Sequence, residues 1–81
     1  MQKKKFIEAV VSSFLALMGH GIFEVQYVKE SAAHSGMFNQ KVEALELLDI
    51  NGSLVSSLAI TPEDVSKNDP EYLAGYWFGK L

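Results

Sequence analysis

The stretch VEALELLDINGSLVSSLAI, Val42–Ile60, decides the fold. Two apolar runs flank Asn51-Gly52, the pair most favoured at the centre of a two-residue hairpin turn because both positions tolerate positive φ. With that pair at the turn centre, Ile50 pairs with Ser53, Leu45 faces Leu58 and Leu47 faces Ser56. One face then collects Leu45, Leu47, Leu54, Leu58 and Ile60. The other holds Glu46, Ser53, Ser57 and Thr61, with Leu48 and Val55 as exceptions. Such alternation predicts a sheet with one face against a core. A helix over Gln40–Leu48 competes, since Glu, Ala and Leu favour helices. The alternation favours strand, and residues 37–49 stay open between the two readings.

Working upstream, Ile22–Lys29 alternates as well. Phe23, Val25 and Tyr27 fall on one side, Glu24 and Gln26 on the other, and these residue types form half-buried strands. Ser31–Gly36 follows as a loop of small residues. Further back, Phe6, Ile7, Val10, Val11, Phe14, Leu17 and Met18 recur at spacings of three and four, an amphipathic helix that Gly19 and Gly21 stop. Lys3–Lys5 followed by Ala9–Met18 also looks like a secretory leader. Glu8 interrupts that apolar run, and no small-x-small cleavage site follows Met18. The run is also shorter than the roughly 20 apolar residues a membrane span needs.

Downstream, Thr61-Pro62-Glu63-Asp64 carries a hydroxyl cap, a proline at the first helical position and acids in the first turn. Asp69-Pro70-Glu71 repeats the pattern. The first predicts a single turn, the second a terminal helix from Pro70 to about Gly79. On that helix Leu73, Tyr76 and Trp77 share the core-facing side, while Tyr72 and Phe78 project elsewhere. The chain therefore reads as one small α+β domain over residues 1–81. Its order is α-β-β-β-α: an N-terminal helix, a three-stranded antiparallel sheet with an Asn-Gly hairpin, and a C-terminal helix. The helices form a single layer on one sheet face.

Composition narrows the function classes. Of the 81 residues, 48% are apolar and 21% charged, which is not a disordered composition. Cysteine is absent, which removes disulfides, thiol nucleophiles and cysteine-based metal sites. All seven basic residues are lysines, and the formal charge is −3. An acidic chain without arginine lacks the footprint for duplex DNA. Residues 1–41 carry five lysines and three glutamates (+2), whereas residues 42–81 carry two lysines and seven acids (−5), so the second half suits a basic partner.

The search for catalytic chemistry finds little. His20 and His34, the two histidines, have no spacing that makes them converge on a metal. Ser35 adjoins His34, but neighbours on an extended chain point apart, and no G-x-S-x-G elbow or phosphate-binding glycine loop is present. Glu63/Asp64 and Asp69/Glu71 fall in helix first turns, where capping and the helix dipole already account for acids. The reading is no enzyme, no catalytic residue, no metal and no cofactor.

One cluster stands out. Tyr72, Tyr76, Trp77 and Phe78 place four of the nine aromatics within seven residues, beside Asp69 and Glu71. Residues 72 and 78 lie about 120° apart on a helix, so they cannot all face one core. Tyr and Trp are favoured interface anchors. Tyr72, Tyr76, Trp77, Phe78, Asp69 and Glu71 are therefore the candidate partner-binding residues. In size, acidity and lack of catalytic residues the chain resembles the small inhibitors carried by phages and other mobile elements, such as anti-CRISPR and anti-restriction proteins; no motif carries this likeness, so it assigns no residue a role. The expected function is a cytoplasmic interaction module that binds and inhibits or regulates another protein, without binding nucleic acid or membrane. The alternative is a self-associating homodimer.

Overall fold

The computed structural model describes residues 2–19, 21, 23–31 and 42–81. Its elements run α1 (Lys3–Met18), β1 (Glu24–Ser31), β2 (Val42–Leu48), β3 (Leu54–Ala59), α2 (Pro62–Lys67) and α3 (Pro70–Gly79). This is the expected α-β-β-β-α order. Contacts divide the chain into two compact units, one formed by Met1–Gly21 with Pro62–Leu81 and one by Ile22–Thr61.

The second unit is an antiparallel meander in the order β1-β2-β3. Val42–Leu48 is strand, so the helical alternative fails there; residues 37–41 lie outside the described ones. Leu45 pairs with Leu58 and Leu47 with Ser56, as the alternation requires. Leu45 and Leu47 are fully buried, and Leu58 and Ile60 nearly so. β1 begins two residues later than expected, at Glu24, and its register slips by one between Val28 and Ser31. On the opposite face Gln26 Nε2 donates to Glu46 Oε1 at 3.0 Å.

The turn differs from the expected one. The Gly52 amide donates to the Asp49 carbonyl at 2.9 Å, and the Asp49 amide donates to the Ser53 carbonyl at 3.0 Å. Ile50 and Asn51 are thus the turn centre, Gly52 follows at φ +77°, and Asp49 rather than Ile50 pairs with Ser53. This is a three-residue loop ending in a left-handed glycine, the next commonest hairpin connection. The deciding residue is Asp49. Its Oδ1 accepts from the amides of Asn51 and Ser53, both at 2.9 Å, so the side chain organises the loop from its first corner.

The shift at the turn is absorbed by a bulge. Leu48 pairs with Leu54, leaving Val55 as the extra residue before Ser56. One inserted residue reverses which face a side chain takes. Leu54, expected in the core, therefore joins Leu48 on the Glu46 face and is 50% exposed. Leu48 and Val55, the two residues that broke the alternation, mark the bulge.

The first unit pairs α1 with α3. Phe6, Val10 and Phe14, spaced by four, form the buried line of α1. The helix starts at Gln2 with no side-chain cap and no acid in its first turn, and Lys3–Lys5 sit at its positive end. Its stability must come from packing. It ends where Gly19, at φ +77°, donates to the Leu15 carbonyl at 3.1 Å. Leu17, expected in the core, is half-exposed. At ten residues α3 is shorter than sixteen-residue α1 by about 9 Å, so α3 cannot cover the whole apolar stripe. α2 exceeds the single turn expected of it, reaching six residues. Asn68 extends it by donating from its amide to the Asp64 carbonyl at 3.0 Å and from Nδ2 to Asp64 Oδ1 at 2.8 Å.

Candidate functional site

α3 is set from its first corner. The Asp69 side chain accepts from the Glu71 amide at 3.0 Å, Pro70 occupies the first turn with its φ already helical, and the Leu73 amide donates to the Asp69 carbonyl at 3.0 Å. Leu73, Ala74 and Trp77 form the buried side. The Trp77 indole stacks on the Phe14 ring with centroids 3.9 Å apart and planes 18° apart, which fixes the rotation of α3 against α1.

That rotation sorts the candidate residues. Trp77 is fully buried, as its place on the core stripe predicts, and presents no surface. Tyr72 is 68% exposed and Phe78 40%, the two aromatics expected to project outward. Tyr76, expected to face the core, is instead 53% exposed. The reason is angular. Leu73, Ala74 and Trp77 centre the buried side near Trp77, and Tyr76 lies about 110° from the middle of that arc. Asp69 and Glu71 are exposed, and Asp69 is also the helix cap. Cβ atoms built on Gly75 and Gly79 would meet nothing within 4 Å, so the outer side of α3 is open.

The sequence reading passed over Lys80. Its Nζ lies 5.2 Å from the centre of the Tyr76 ring, a cation held over an aromatic face four residues back. The signal in the sequence was a lysine one turn after a tyrosine, at a helix end that favours cations.

The other candidate chemistry has structural employment or lies outside the described residues. Glu63 pairs with Lys67 at 3.6 Å, Asp64 accepts from Asn68, and Asp69 caps α3. His20, His34 and Ser35 fall outside the described residues. Among the described residues no group of three or more His, Asp or Glu could hold a metal ion, and no helix is long and apolar enough to cross a membrane. No family model, curated protein or solved structure matches the chain.

Proposed function

We propose that this chain is a small acidic interaction module that works in the cytoplasm by binding, and thereby inhibits or regulates, another protein, in the manner of inhibitors carried by mobile elements. The observation that carries the reading is the outer side of α3. Tyr72, Tyr76 and Phe78 are exposed on a helix whose buried side is already filled by Leu73, Ala74 and Trp77. Core packing accounts for Trp77 and gives no reason for three further aromatics. Exposed aromatics among polar groups are the usual anchors of protein interfaces. The acids at the start of α3 and the −5 charge of residues 42–81 suit a basic partner and hasten encounter with it.

The test pairs folding with binding in the same variants. Wild type, Tyr72→Ala and Phe78→Ala are used as baits in lysate of the source organism, and the captured partner is then titrated against each. Both variants keep the wild-type melting temperature, and at least one loses about 2 kcal/mol of binding, roughly thirtyfold in Kd. Normal binding by both places the interface off α3.

A further inference from the structure

We infer that the outer side of α3 pairs with α3 of a second copy of this chain, antiparallel, along the line Asp69–Tyr72–Tyr76–Lys80. This rests on the reading of α3 as an interface and names an occupant for one flank of it.

The line is defined by helical geometry. At 100° per residue, positions 69, 72, 76 and 80 fall within an arc of about 80°. The Lys80 ammonium over the Tyr76 ring confirms that the last two members adjoin. Phe78 lies about 160° from the middle of this arc, on the opposite flank. The line therefore carries an acid at one end, a base at the other and two exposed tyrosine rings between them.

Such a line is its own complement when reversed. A two-fold axis between residues 74 and 75 sets Asp69 opposite Lys80 of the second copy, and Lys80 opposite its Asp69. The same axis brings Tyr72 opposite Tyr76, offset by one residue, or about 1.5 Å. All four residues stay on matching flanks, because this two-fold keeps each flank on its own side. The parallel arrangement fails, since it sets Asp69 against Asp69 and Lys80 against Lys80. Charge thus specifies both the partner and its direction, as it does between paired helices generally. Capping does not exhaust Asp69: Oδ1 takes the Glu71 amide, and the carboxylate retains further acceptor positions. Tyrosine rings stacked across the axis bury the exposed apolar area.

The interface is one ten-residue helix per copy, so the dimer is weak. Sedimentation equilibrium on the full chain, from about 10 µM to about 1 mM, spans the affinity of so small an interface. Wild type shifts from monomer to dimer mass across that range. Lys80→Glu turns two attractive contacts into two repulsive ones and weakens the dimer by about tenfold or more. Asp69→Lys does the same from the other end. Mixing those two variants restores association, because the mixed pair is again acid against base at both ends. Asp69→Asn keeps the helix cap, so it separates charge from folding: it weakens the dimer while the melting temperature stays. Phe78→Ala dimerises as wild type. A chain that remains monomeric at the highest concentration overturns the pairing, as does a Lys80→Glu variant that dimerises normally or a mixture that fails to associate. These outcomes leave the interaction-module reading to its own titration, in which Phe78→Ala is informative and here is silent.

Discussion

Truncating Phe14 to alanine tests the packing that orients α3. Phe14 is fully buried and stacks on Trp77 at 3.9 Å. Removing its ring from water is worth about 1.5–3 kcal/mol by area. The space left behind raises the cost of Phe→Ala in a packed interior to about 3–5 kcal/mol. The stacked pair accounts for about 0.5–1.5 kcal/mol of that through ring–ring attraction. A chain of 81 residues has a total stability of roughly 4–12 kcal/mol, so the loss takes a large part of it. Trp77 is the only tryptophan, so its fluorescence during urea unfolding reports on this contact directly. The expected result is a transition moved to much lower urea, or no folded baseline at all. Phe14→Leu fills most of the space without the ring and should lose less than half as much. A Phe14→Ala transition within about 1 kcal/mol of wild type refutes the claim that this stack holds α3 in place.

Two further perturbations probe the hairpin. Gly52→Val should destabilise by more than about 1 kcal/mol in thermal melts, because φ is +77° there and a β-branched residue resists it; the space is open, so Gly52→Asn should be tolerated far better. Asp49→Ala removes the acceptor for two loop amides and should cost about 1–2 kcal/mol, whereas Asp49→Asn should keep most of the stability.

The strand pairing of Leu45 with Leu58 was legible because residues of one face recur every second position over both runs. The turn was misread by one residue. Asn51-Gly52 is a strong local signal, but Asp49 makes two side-chain bonds that select a longer loop, and the bulge at Val55 follows from that choice. The irregular pair Leu48 and Val55 was visible in the sequence; what it meant depended on the register. On α3, position along a helix decided Tyr72, Trp77 and Phe78 correctly. Tyr76 went astray because Leu73 and Trp77 complete an arc of about 100° equally well with Tyr76 or with Ala74, and the choice depends on how α3 is rotated by Phe14, a residue more than sixty positions away. Lys80 was missed because a cation–π contact needs the ring's orientation as well as its spacing.

The helix pair α1–α3 joins segments with about fifty residues of chain between Met18 and Pro70. During translation α1 leaves the ribosome first, and its buried line of Phe6, Val10 and Phe14 has no helix to meet until residues 70–79 follow. At about 5–20 residues per second that interval is several seconds. The meander needs only strands adjacent in sequence, so it can close while α1 waits. Nascent chains from which residues 42–60 but not 70–79 have emerged should therefore carry a formed hairpin and an uncovered apolar helix, the species on which a chaperone would act.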